Sequence, residues 1–266
     1  IGKFLERTKM IKVLILGGSG MLGAMLADVL ARDNEIELTA TVRDEGYAVH
    51  CAKEISNVTW KLFEVNTNDL EHSLDIIDGM DYVINSIGIT KPMIRDDIPS
   101  EVSSAIRINS MLPYQLSIRA KECGAKVIQI ATDCVFSGKD GYYVEDDLHD
   151  PQDGYGMTKS LGEIHSDAFH NLRCSIIGLE PKDYKFLVQW FLGQSKGSSV
   201  YGFVNHRWNG LTTLHFSRIC LGIIKNNIQL PNLLHLIPMG ELTKAEILHL
   251  FAEVFSLEEI NITDVL

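Results

Sequence analysis

The chain has 266 residues, 45% hydrophobic and 22% charged, a composition that supports a full core and excludes a disordered chain. A formal net charge of −11 counts against nucleic acid and anionic membrane surfaces as partners, while leaving room for a local basic pocket. No apolar run reaches the ~18 residues that would span a bilayer.

Residues 1–9 lack the apolar core of a signal peptide, and Met10 opens the ordered pattern. Ile11–Leu16 is a continuous branched-apolar run, as suits a parallel strand buried on both faces. It enters Gly17-x-x-Gly20-x-x-Gly23, and a helix-period segment follows from Met21 to about Arg32. In this order the glycines read as a dinucleotide loop. Gly17 makes the turn, Gly20 admits a pyrophosphate, and Gly23 allows close helix–strand packing. The loop backbone from Ser19 through Met21 and Leu22 then meets the phosphates at the positive end of the helix.

Glu37–Val42 reads as the second strand, ending at Arg43. A guanidinium there suits the extra 2′-phosphate and favours NADP(H), while Asp44 behind it keeps NAD(H) open. A short helix within 46–57, a strand over Val58–Val65 and a helix over Leu70–Ile77 follow. The strand Asp81–Asn85 feeds Ser86-Ile-Gly88, a small-residue turn placed to pass beside the cofactor. Residues 101–123 read as one long helix with a kink at Pro113, and 126–131 as a strand entering Thr132-Asp133-Cys134-Val135-Phe136. A helix is expected from Tyr155 to about Phe169, then a strand over Leu172–Ile177. The alternation marks an α/β, Rossmann-like doubly wound parallel sheet. Residues 10–178 read as the NAD(P)-binding domain. Residues 179–266 read as a smaller substrate-binding region, with elements near 211–238 returning to the sheet.

Cys51, Cys123, Cys134, Cys174 and Cys220 are an odd, scattered set without a CxxC pair, read as reduced thiols of a cytoplasmic protein. The nine histidines show no ligand spacing, so no metal is expected. Chemistry gathers instead at Tyr155 and Lys159, which share one helix face. A neighbouring ammonium would draw a phenol down from its ordinary pKa near ~10. Thr132, at the carboxyl end of the preceding strand, stands where a reacting carbonyl would bind.

The order GGSGMLG, NSIG, TDCVFSG and YGMTK resembles the extended short-chain dehydrogenase/reductase superfamily. ATDCVFSGKDGYYVEDD and YGMTKSLGE resemble the dTDP-4-dehydrorhamnose reductase family, from residue 10 to about 178. The resemblance implies an NAD(P)H-dependent reductase of a 4-keto-6-deoxy nucleotide sugar, serving polysaccharide precursor synthesis. It implies that Thr132, Tyr155 and Lys159 are catalytic, with Tyr155 and Lys159 also at the cofactor. Asn85, Ser86 and Gly88 would flank the cofactor, and Asp133, Val135 and Phe136 the sugar. Asn109 matches a structural or water-organising asparagine of the family. Arg173 reads as a strand-boundary residue or a phosphate contact. Ala131 and Cys134 stand where the family has Ser and Tyr, and Asn66 where Asp is commoner. The NHRWNGLTTL block also departs, leaving the sugar open. There Trp208 or Phe203 could stack on a base and Asn209 or His206 bond to sugar or phosphate, or these residues simply pack the small lobe. An epimerase or dehydratase with bound NAD, a non-catalytic NADP-binding regulatory subunit, and a homodimer stay open.

Overall fold

The first apolar run has to satisfy two opposite faces at once, and the structure shows why. In a computed structural model describing residues 9–66, 69–182 and 185–266, the run forms β1 (Ile11–Leu16), followed by α1 (Met21–Leu30). Val13 and Ile15 pack one side of the sheet and Leu14 and Leu16 the other, all four fully buried. Next come β2 (Ile36–Val42), α2 (Glu45–Glu54), β3 (Val58–Leu62), the single turn α3 (Leu70–Ser73) and β4 (Tyr82–Asn85). Residues 1–8, most of the stretch before Met10, lie outside the described residues.

The segment expected as one long helix is α4 (Pro99–Ala105), a π-helical turn over Ile106–Met111, and α5 (Leu112–Cys123). The irregularity precedes Pro113 because proline supplies no N–H to the carbonyl four residues earlier, that of Asn109. Gly162 packs against this carbonyl so closely that an added Cβ would lie 1.9 Å from its oxygen.

The chain continues through β5 (Lys126–Ala131), α6 (Gly154–Leu161), β6 (Phe169–Arg173), β7 (Ile176–Ile177), α7 (Leu187–Leu192), β8 (Ser199–Phe203), β9 (Arg207–Trp208) and β10 (Leu211–Thr212). It closes with α8 (Thr213–Lys225), β11 (Leu233–His235), β12 (Leu242–Thr243), α9 (Lys244–Val254) and β13 (Asn261–Val265). Two expectations are corrected here. The helix carrying Tyr155 stops at Leu161, and Phe169 opens a strand instead of ending a helix. The stop falls at Gly162, held against the Asn109 carbonyl, and every residue of β6 is buried as in a strand covered on both faces.

Seven parallel strands form one sheet in the order β11-β6-β5-β4-β1-β2-β3. The fold is a Rossmann-like doubly wound α/β sheet. One face is covered by α1 and α8, through Leu26, Leu30, Phe216 and Cys220. The other is covered by α5, through Leu112, Leu116 and Ala120. Strand order reverses between β1 and β4, and ligands of open α/β sheets bind in the crevice outside the carboxyl ends at such a point. A separate small core of Phe191, Val200, Leu248 and Ile260 joins α7, α9 and the β8–β13 pair.

Candidate active site

Three carboxyl-end turns meet at the switch point. After β1, Gly17 adopts φ +84°, a conformation that disfavours any side chain. Its N–H donates to Thr41 Oγ1 at 3.0 Å, tying the loop to β2. Gly23 sits so close to the loop that an added Cβ would lie 2.1 Å from the Gly17 oxygen. Gly20 is different: its Cβ would approach no protein atom nearer than 3.5 Å, so the surface above it is open. Gly20 caps α1 without a side-chain hydrogen bond, and no acidic residue occupies the first turn. The first N–H groups, those of Met21, Leu22 and Gly23, thus form an anion cradle without a protein side chain in it. The geometry fits a dinucleotide pyrophosphate.

After β4, Ser86 Oγ donates to the Leu16 carbonyl at 2.6 Å, locking this turn against the glycine loop. Asn85 is fully buried, donating to Gln129 Oε1 at 2.8 Å and accepting from the Ile87 N–H at 3.2 Å. Its side chain therefore shapes the turn from within, and the residue presents no open surface. Asn109, on the π-helical turn, accepts from the Ile89 N–H at 2.9 Å and donates to the Ile89 carbonyl at 2.9 Å and Thr158 Oγ1 at 3.1 Å. It thereby couples the Gly88 turn to α6.

After β5, Thr132 accepts from the Cys134 N–H at 3.2 Å, and its hydroxyl acts on the Tyr155 phenol. Its hydroxyl also lies 3.3 Å from Asp133 Oδ1. The helix α6 is started by Asp153, which accepts from the Gly156 N–H at 2.8 Å and pairs with Lys91 at 2.7 Å. One turn beyond Tyr155, buried Lys159 donates to the Ile130 carbonyl at 2.5 Å. Thr132, Tyr155 and Lys159 are thus brought together.

The electrostatics reverse one expectation. Burial raises the Tyr155 pKa above that of a free phenol, outweighing the opposing influence of the Thr132 hydroxyl. Desolvation wins because the phenol sits in a low-dielectric site while the ammonium is turned to a backbone carbonyl. The same burial lowers Lys159 to about 8.

Other sequence candidates divide. Val135 is fully buried, and Phe136 stacks on Tyr143 at 4.4 Å with the Arg173 guanidinium 5.1 Å from its ring centroid. Both side chains are buried. Arg173 is no phosphate contact, because Glu163 holds it with two 2.8 Å bonds. Trp208 donates its indole N–H to Ser175 Oγ at 2.8 Å and lies against Gly210, so one side of the ring is already packed. Phe203 stacks on His206 at 4.7 Å. Asn209, Asp133 and Arg43 are exposed.

One residue that no sequence pattern singled out reaches the same place. Lys182, following β7, sets its ammonium 3.2 Å from Ser19 Oγ of the glycine loop and 4.4 Å from the Tyr47 ring centroid.

The family model for the RmlD substrate binding domain matches residues 11–177. The spore coat polysaccharide biosynthesis protein SpsK of Bacillus subtilis is 31% identical over 156 residues, 58% of this chain and 47% of that protein. The probable low-salt glycan biosynthesis reductase Agl14 of Haloferax volcanii is 28% identical over 56% of this chain and 46% of its own. The chain therefore spans about half the length of the curated relatives it matches. A Bacillus anthracis dTDP-4-dehydrorhamnose reductase solved in complex with NADP shares the fold at TM-score 0.72 and 17% identity, over 96% of this chain and 84% of that one. With the family model covering well over half of its length, the chain belongs to the RmlD substrate binding domain family, within the extended short-chain dehydrogenases/reductases.

Proposed function

We propose that the chain is an NAD(P)H-dependent reductase of a 4-keto-6-deoxy nucleotide sugar, in the synthesis of a surface polysaccharide precursor. The observation that carries this reading is buried Lys159, one turn beyond Tyr155 on α6, held by the Ile130 carbonyl of β5 beside Thr132 at the carboxyl end of that strand. Supporting it are the open anion cradle over Gly20 and the match of residues 11–177 to the reductase family's domain. Residues 10–178 would hold the cofactor, while 179–266 would contribute to the sugar side, with Trp208 and Asn209 among its contacts.

The cradle of Gly17, Ser19, Gly20, Met21, Leu22 and Gly23 would bind the pyrophosphate, with Ser86 and Gly88 flanking the nicotinamide half. Bound NAD(P)H would supply the hydride. The protein positions the carbonyl and manages the proton. Thr132 donates a hydrogen bond to the sugar carbonyl oxygen, and Asp133 braces the Thr132 turn. Tyr155, kept protonated by burial, gives its proton to that oxygen as negative charge develops there. Lys159 lies behind as the cation that favours the phenolate left by this transfer.

The test is the oxidation of NADPH by purified protein with a dTDP-4-keto-6-deoxy sugar, for wild type and Tyr155→Phe. Loss of the acid should lower turnover at least about a hundredfold with NADPH affinity unchanged. Equal turnover by the two proteins would defeat the assignment. Tightly retained NAD in the purified protein, with no consumption of added NADPH, would point instead to an epimerase.

A further inference from the structure

The segment after β7 brings a cation to the glycine loop. Lys182 reaches back across 163 residues of sequence to Ser19, the residue just before the Gly20 cap of α1. It lies over the face of Tyr47, in the first turn of α2, as cations do on aromatic faces. Because Tyr47 stands in the first turn of α2, just after the end of β2, this contact places the ammonium beside the β2–α2 turn. Arg43 leaves the end of β2 in that same turn, exposed to solvent. Among the described residues neither Lys182 nor Arg43 pairs with a carboxylate, although twelve of the other lysines, arginines and histidines do in a chain of net charge −11. The Asp44 carboxylate is turned to the α2 backbone, accepting from the Tyr47 N–H at 2.7 Å, an occupation that competes with holding a ribose hydroxyl.

We propose that Lys182 is a ligand of the cofactor's 2′-phosphate, joining Arg43 at the β2–α2 turn so that two cations select NADP(H) over NAD(H). The inference rests on the dinucleotide reading and goes beyond it by assigning cofactor preference to a residue outside the Rossmann half. A 2′-phosphate is a dianion that arginine grips through its fork and lysine as a point charge, and the Tyr47 face restricts where the ammonium can go. The pyrophosphate is the less suitable partner, because the ammonium also lies over the Tyr47 face in the first turn of α2, outside the pyrophosphate cradle.

Calorimetric titration with NADPH, NADH and 2′,5′-ADP would test this on wild type, Lys182→Gln, Lys182→Arg and Arg43→Gln, each first shown to melt like wild type. Lys182→Gln should weaken NADPH and 2′,5′-ADP by about tenfold or more and leave NADH within about twofold. Lys182→Arg should retain the preference. Equal losses for NADH and NADPH would overturn the assignment, as would affinities unchanged by Lys182→Gln. Wild type that binds neither dinucleotide would overturn the cofactor reading itself, an outcome distinct from a wild type that binds both while Lys182→Gln changes nothing.

Discussion

Glu163 and Arg173 form a buried two-bond pair that fastens the end of α6 to the sheet. Glu163 lies two residues past α6, Arg173 closes β6, and their side chains are 6% and 2% exposed. Arg173 also donates to the Glu145 carbonyl at 3.2 Å and contacts His149 and His235, so the loop before α6 is held by the same guanidinium. Desolvation keeps both histidines below their ordinary pKa, which limits like-charge crowding around the guanidinium. Removing one member of a buried ion pair leaves an uncompensated charge and costs about 3–5 kcal/mol. Glu163→Gln should therefore lower unfolding free energy in urea by about 3 kcal/mol. A loss under about 0.5 kcal/mol would show that the pair is not holding α6 in place.

The glycine loop yields a paired prediction. Gly23→Ala would drive a methyl into the Gly17 carbonyl and to within 2.9 Å of Ser86 Oγ, both fixed by backbone packing. That protein should be destabilised by about 1–3 kcal/mol or more. Gly20→Ala meets nothing in the protein closer than 3.5 Å, so it should fold with near-wild-type stability yet bind dinucleotide far more weakly. Thermal melts and NADPH titration of the two variants separate the effects. Unaltered NADPH binding by Gly20→Ala would remove the phosphate from that spot.

What could be read from the sequence was whatever depends on neighbours close in the chain. The β1–Gly17–α1 unit is of this kind, since an apolar run, three glycines and a helix period lie within about twenty residues. Tyr155 and Lys159 share a face for the same reason. Misplaced features depend on distant partners. The end of α6 is set by the Asn109 carbonyl, far back in the chain. Lys182 carries no local signal, being one lysine after a proline. Only the path of the chain beyond β7 returns it to Ser19.

Lys159 makes the site sensitive to pH. Its pKa is lowered to about 8 from the ordinary 10.5, so the charge that supports Tyr155 is present below about pH 8 and lost above it. For reduction, kcat/KM should fall as pH rises through about 8. The stability effect has the opposite sign. Between about pH 8 and 10.5 the unfolded chain holds the proton that the folded chain has released, so stability rises with pH across that window. Below it the buried ammonium costs up to about 3 kcal/mol. Lys159→Met should thus melt at pH 7 no lower than wild type while losing turnover. A kcat/KM profile flat through pH 8, or a variant that melts well below wild type, would contradict this account.

Asn109 offers the sharpest separation of architecture from chemistry. It is 2% exposed and satisfies both main-chain groups of Ile89 while donating to Thr158, whose own hydroxyl donates to the Tyr155 carbonyl at 3.0 Å. Asn109→Asp is nearly isosteric but cannot donate, so it places a carboxylate oxygen against the Ile89 carbonyl. Asn109→Ala instead leaves the Ile89 N–H and carbonyl unpaired, at about 1–3 kcal/mol for each buried group. Both variants should be less stable, and stability in Asn109→Asp should recover toward low pH, where the protonated acid regains a donor. Because the amide joins the Gly88 turn to α6 without touching Tyr155 Oη or Thr132, NADPH affinity and turnover should decline together. A variant with normal stability but abolished turnover would instead place Asn109 in the proton-transfer chemistry. Melting curves at pH 5 and pH 8, set beside kcat and NADPH affinity, distinguish a brace from a participant.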